Sequence, residues 1–223
     1  MEFTEYPDRD MLILDLSNQI VDDLSDALHN KDRVTLSVPG GTTPGPIFDE
    51  LSGVDMPWDR VNVCLNDERW VPETSDRSNT TLLRNRLLVD KAASAALLPM
   101  YADFATPEEG LPSLAPAFDA VLPIDVLLVG MGADMHTASL FPGADQLELA
   151  LSSHAPSLLA MRAAGAPEPR ITLSAPVLNG AIAKHVVIFG DEKRTALEAA
   201  QHLDPIQAPI KSILSGAKVH WAA

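Results

Sequence analysis

The chain has 223 residues, 46% of them apolar, and 31 acidic against 16 basic side chains leave it a formal net charge of −15. That size suits one buried core and one domain spanning residues 1–223. The acidity argues against a general nucleic-acid binder, whose surface needs dense Lys and Arg to displace counterions. No apolar run approaches the ~20 residues of a membrane helix, and Met1–Glu5 lacks the basic-then-apolar order of a secretory signal. A lone cysteine, Cys64, rules out an internal disulfide and suits a reducing compartment, so the cytoplasm is the expected location.

Apolar residues at Leu12, Leu16, Ile20, Leu24 and Leu28 give one helical face between Arg9 and His29. Val34 to Val38 reads as a strand that ends in Pro39-Gly40-Gly41-Thr42-Thr43-Pro44, with a helix over Pro46 to Leu51. Val61 to Leu65 is a second strand, ending at Asn66-Asp67-Glu68-Arg69, and Ser78 or Asn79 caps a helix to about Leu88. Between Lys91 and Pro116 the pattern weakens. A short strand is expected near Leu97 to Met100, and Pro107 and Pro112 point to a loop. Ile124 to Val129 is a buried strand, Leu147 to Ala164 looks helical, and Arg170 to Leu173 and His185 to Phe189 are further strands. Asp191 caps a helix reaching about His202, a turn falls near Ile210 to Leu214, and Val219 to Trp221 is a last strand. Strands alternating with helices predict an α/β sheet with covering helices.

Three loops that follow predicted strands hold the candidate chemistry. In the first, Gly40 and Gly41 free the backbone amides, Thr42 and Thr43 add donors, and a helix N-terminus adds partial positive charge. That suits a phosphate without a Walker pattern; a plain tight turn explains the residues equally well. In the second, Asn66 to Pro72, Arg69 offers a planar fork to a phosphate or oxyanion. Either Asp67 or Glu68 is available to orient or activate a partner, the other locking the loop.

The third loop, Gly130 to Gly143, delivers His136 to a strand end beside Gly132, Asp134, Thr137 and Ser139. A residue type that titrates near neutral pH, set where open α/β sheets bind ligands, reads as catalytic. Met135 occupies the third glycine position of a dinucleotide fingerprint, so that fingerprint fails. The remaining histidines form no pair with metal-ligand spacing and Gly-x-Ser-x-Gly is absent, so neither zinc nor a nucleophile elbow is expected. Arg170 and Lys193 make joint sense as parts of a phosphate site, although each alone would pass for a surface residue.

Taken in order and spacing, Gly40 to Pro44, Asn66 to Pro72, Gly130 to Gly143 and Pro169 to Leu173 resemble the motifs of the 6-phosphogluconolactonases, over about Asp10 to Trp221. The resemblance implies a modified Rossmann-type α/β fold, mostly parallel, with helices on both faces. It also implies metal-free and cofactor-free hydrolysis of 6-phospho-D-glucono-1,5-lactone to 6-phosphogluconate, a step of the oxidative pentose phosphate pathway. No nucleic acid, membrane or obligate protein partner is implied. By this likeness Gly40, Gly41, Thr42 and Thr43 hold the phosphate with Arg170 and Lys193, Gly132 belongs to the substrate loop, and His136 activates water. Arg69 serves the phosphate or the oxyanion, and Asp67 orients the substrate or His136.

Amino-sugar-phosphate deaminases and isomerases of the same superfamily carry a carboxylate where this chain has Phe141. A non-catalytic sugar-phosphate sensor would lose the base, whereas His136 is retained. One position departs from the family pattern: Met135 stands where glycine is usual, and a positive φ there would cost a methionine.

Overall fold

The apolar runs build a parallel sheet, seen in a computed structural model that describes residues 1–223. In chain order the elements are β1 (Glu2–Glu5), α1 (Arg9–Asn30), β2 (Val34–Val38), α2 (Gly45–Ser52), β3 (Val61–Leu65), β4 (Asp67–Arg69), α3 (Asn79–Arg86), β5 (Ala96–Leu97) and α4 (Pro107–Asp119). They continue with β6 (Val126–Gly130), α5 (Leu147–Leu151), β7 (Leu158–Ala163), β8 (Ala166–Leu173), α6 (Ala175–Asn179), β9 (Ala183–Phe189), α7 (Asp191–Ala200) and β10 (Lys218–Ala222). Seven strands form one sheet in the order β1-β10-β9-β6-β2-β3-β5, with every pairing parallel. Flanking helices cover it, so all five residues of β2 and all five of β3 are buried. Cys64 on β3 is a packing residue: burial pushes its thiol up to about 12.

The predicted face of α1 is the buried one, from Leu12 to Leu28, and Asp8 caps the helix by accepting from the Met11 amide. No helix is long and apolar enough to cross a membrane.

A second sheet, β4-β8-β7, is antiparallel and stands at the end of the first. The chain crosses between them at Asn66, whose side chain accepts from Ser37 Oγ at 2.7 Å and donates to the Leu128 carbonyl at 2.8 Å. Its own carbonyl accepts from the Leu173 amide. One asparagine thereby ties β2, β6 and β8 together.

Several expectations need correction. The segment from Leu147 to Ala164 is helical only to Leu151; Leu158 to Ala163 is β7, which turns back at Gly165 into β8. A short, fully apolar run carries no period that separates strand from helix. Pro107 and Pro112 lie in a helix, not a loop. Pro107 opens α4, where its missing N–H costs nothing, and Thr106 and Glu109 close a capping box. Burial of Leu114 and Phe118 holds the helix across Pro112 and Pro116. β1 and β4 were not expected, β5 is two residues long, and α3 ends at Arg86.

Beneath α1 lies a buried polar chain. Tyr6 Oη donates to Asp15 at 2.6 Å and meets His220 Nδ1 at 2.9 Å; His220 Nε2 meets His185 Nδ1 at 3.0 Å, and His185 Nε2 meets Asp23 at 2.7 Å. Burial, reinforced by His185 and Lys218 against the pull of Asp15, pushes His220 down to about 3. Below pH ~6.5 the unfolded chain binds a proton at this histidine that the folded chain refuses. Stability therefore falls as pH drops from there towards 3, by up to ~1.4 kcal/mol per pH unit. The Tyr6 hydrogen bond lowers Asp15; burial raises Asp23, but the His185 bond and charge bring it lower on balance, so both carboxylates add to the acid loss. Urea unfolding at a series of pH values is expected to show this slope, and His220→Gln to flatten it between pH 6.5 and 4.

Candidate active site

From the centre of the sheet the chain runs outward in both directions, through β3 and β5 on one side and β9 and β10 on the other. The loops that follow β2 and β6 therefore part at their carboxyl ends, and a crevice opens there. It is a cavity of about 340 Å³ lined by the β2–α2 loop, Asp67 and Arg69 of β4, Asn79, the loop after β6, Arg170 of β8, Val187 of β9 and Lys193 of α7.

One wall is built for an anion. The backbone amides of Gly40, Gly41, Thr42 and Thr43 donate to no protein acceptor, so they are left for water or ligand. Gly41 takes φ +83, a left-handed conformation that suits glycine. Thr43 lines the cavity, whereas Thr42 is exposed and lies outside the wall.

Arg69 and Arg170 stand directly opposite each other across the antiparallel β4–β8 pair. Like charges in that position repel. The Nε atoms of both arginines are buried without a protein partner. Burial lowers the Arg170 pKa, Asp67 pulls it back and Arg69 pushes it down further. Lys193, partly buried in the first turn of α7, is likewise held below the ordinary lysine range by burial. In a chain of net charge −15, cations gathered against their own repulsion call for an anionic ligand.

The cavity lining also carries His136. Its Nδ1 lies 2.5 Å from Asp134 Oδ1, and Asp134 also accepts from the His136 amide. A carboxylate only accepts, so Nδ1 is the donor in this bond. A Cβ on Gly132 would stand 2.3 Å from the His136 ring, which fixes glycine at that position. Phe141 packs on the ring from the other side, with centroids 4.5 Å apart, and its own ring sits 5.9 Å from the Arg170 guanidinium carbon.

Of the two roles expected for Asp67, the bond to His136 belongs to another carboxylate, while Asp67 does line the cavity. Asp67 does not touch His136: its Oδ2 accepts from Ser139 Oγ at 2.5 Å and lies 3.6 Å from Arg170. Asp134 is the carboxylate on the histidine. Glu68 is the one that locks the loop, but through capping rather than an ion pair. Fully buried, it accepts from Ser78 Oγ, Thr80 Oγ1 and the amides of Arg69, Asn79 and Thr80, neutralising the N-terminus of α3. No three His, Cys, Asp or Glu side chains converge as metal ligands would.

The family model described as glucosamine-6-phosphate isomerases/6-phosphogluconolactonase matches residues 7–221. The chain belongs to this family. It is 40% identical to a 6-phosphogluconolactonase of Mesorhizobium japonicum, over 97% of this chain and 93% of that protein. Against the 6-phosphogluconolactonase of Pseudomonas aeruginosa it is 37% identical, over 92% and 88% of the two chains. Among solved structures, that of a 6-phosphogluconolactonase from Shewanella baltica superposes with a TM-score of 0.95 at 32% identity, over 100% of this chain and 98% of that one.

Met135, where the resemblance leads one to expect glycine, has a definite geometry. Its φ is +66, so methionine does occupy the left-handed region, and its carbonyl accepts from the Ile210 amide while its side chain packs on the core. His136 keeps its Asp134 partner and its place in the cavity wall despite the strain. The strain makes an unusual prediction. Met135→Ala loses the packing and keeps the strain, whereas Met135→Gly loses the packing and removes the strain. In urea unfolding the glycine variant is expected to be the more stable of the two by ~1 kcal/mol, the reverse of the usual order.

Asn79 was read only as a capping candidate. Ser78 is the cap, and Asn79 instead donates to the Asp67 carbonyl at 3.0 Å and lines the cavity. No local pattern distinguishes these two roles.

Proposed function

We propose that this chain hydrolyses 6-phospho-D-glucono-1,5-lactone to 6-phosphogluconate, with water activated by His136. The observation that carries the reading is a histidine aligned by Asp134 in one cavity with two arginines whose Nε atoms are unpartnered. Nε2 of His136 takes a proton from water as the oxygen attacks the lactone carbonyl, and the Nδ1–Asp134 bond favours the imidazolium that forms. The developing oxyanion needs a donor, and Arg69 is within the same cavity. Collapse of the oxyanion breaks the ring C–O bond, and the proton held by His136 passes to the leaving ring oxygen, which becomes a hydroxyl of the product.

The phosphate is assigned to the free amides of Gly40, Gly41 and Thr43 with Arg170 and Lys193, where charge-assisted bonds are strongest. Phe141 supports lactone hydrolysis over sugar isomerisation, because it places an aromatic ring on His136 and supplies no second acid–base group.

The test follows the loss of freshly prepared 6-phosphogluconolactone against a buffer blank. The expected result is a rate well above the spontaneous one, and much slower turnover of the unphosphorylated lactone. A rate equal to the blank would remove the enzymatic reading; equal rates on the two lactones would remove the phosphate assignment.

A further inference from the structure

Asp67 reaches one side of the Arg170 guanidinium, at 3.6 Å from Nη1, and a second carboxylate belongs to the same strand as Arg170. Glu168 lies on β8 two residues before Arg170, in the stretch where the β7–β8 pairing shifts register between Ala166 and Arg170. Its charge already acts on Arg170, which it raises, while Arg77 acts on Arg170 in the opposite sense. Left to itself, this carboxylate would be free to join Asp67 in competing for the Arg170 guanidinium.

It is engaged elsewhere. Arg77, on the loop between β4 and α3, binds both carboxylate oxygens: Nε to Oε1 at 2.6 Å and Nη2 to Oε2 at 2.9 Å. The same residue's carbonyl accepts from Arg69 Nη1 at 2.6 Å. The pair is solvent-exposed, with side-chain exposures of 47% and 20%, and exposed pairs contribute little to stability. Its effect is therefore to be sought in the cavity's charge.

We propose that Arg77 is a positioning residue: by occupying both oxygens of Glu168 it withholds that carboxylate from Arg170 and keeps the anion wall open for the substrate's phosphate. The inference rests on the phosphate assignment above and goes beyond it in naming what protects the site. Arg77 itself does not line the cavity.

The experiment measures 6-phosphogluconate binding by calorimetry and steady-state kinetics on the lactone, for wild type, Arg77→Ala, Glu168→Gln and the double variant. Freed from Arg77, Glu168 competes with the phosphate, so Arg77→Ala is expected to weaken binding and raise KM about tenfold, with kcat retained. Glu168→Gln leaves both near wild type, and the double variant returns to wild type, because no carboxylate remains to withhold.

A double variant as weak as Arg77→Ala would overturn the proposal, as would an Arg77→Ala protein that binds normally. So would Glu168→Gln tightening by as much as Arg77→Ala loosens, which would mean a simple field effect of net charge. Matching thermal midpoints across the four proteins exclude a folding defect as the cause. If wild type itself binds no 6-phosphogluconate, the phosphate assignment fails instead, and the two failures are told apart.

Discussion

His136→Ala is expected to lower kcat about 100- to 10,000-fold, the range over which a positioned general base contributes, while 6-phosphogluconate binds within about twofold of wild type. The two readouts separate because His136 shares the cavity with Arg69, Arg170 and Lys193 but is hydrogen-bonded to none of them. His136 is bonded to Asp134 and packed at a tilt against Phe141, and its side chain makes no hydrogen bond to Arg69, Arg170 or residues 40–43. Asp134→Asn tests the alignment. An amide in place of the carboxylate no longer favours the imidazolium, so kcat falls, and the fall is absent when His136 is already alanine. Groups that act as one unit are non-additive in this way. A kcat unchanged in His136→Ala would leave the site without its base and would sink the mechanism.

Arg170→Met is expected to raise KM for the phosphorylated lactone by about 10- to 100-fold, the worth of charge-assisted bonds to an anion, and to leave turnover of the unphosphorylated lactone unchanged. The selectivity between the two substrates thus collapses. Arg170→Lys keeps the charge but loses the planar fork, and should fall between the two. The prediction rests on burial: Arg170 is only 7% exposed, its Nε has no protein partner, and Asp67 reaches one side of the guanidinium alone. Equal losses on both lactones would move Arg170 from the phosphate to the reacting carbonyl.

Much of the fold is legible because its signals are local. β2, β3, β6 and β9 are short apolar runs buried on both faces, and α1 repeats its leucines close to every fourth residue. The strand-end loops follow, because glycine, hydroxyl and charged residues cluster where those runs stop. What was misread lacked a local signal or carried a misleading one. The β7–β8 hairpin begins in a run with no period, and α4 contains prolines that its capping box and buried face override.

The candidate site divides along the same line. Residue types at strand ends are enough to nominate His136, Arg69, Arg170, Lys193 and the amides of residues 40–43, because reactivity and donor geometry belong to each residue. Their partners are another matter. That Asp134 rather than Asp67 serves His136, that Glu68 caps α3, and that Arg77 holds Glu168 are consequences of backbone path and strand register. Arg69 meets Arg170 only because β4 pairs with a strand far along the chain, and such pairing depends on which faces the whole core buries. The sequence by itself thus determined the parallel sheet, the strand-end loops and the chemical groups available at them. Only the tertiary structure decided which carboxylate each cation and histidine meets, since those contacts join residues that no local period relates.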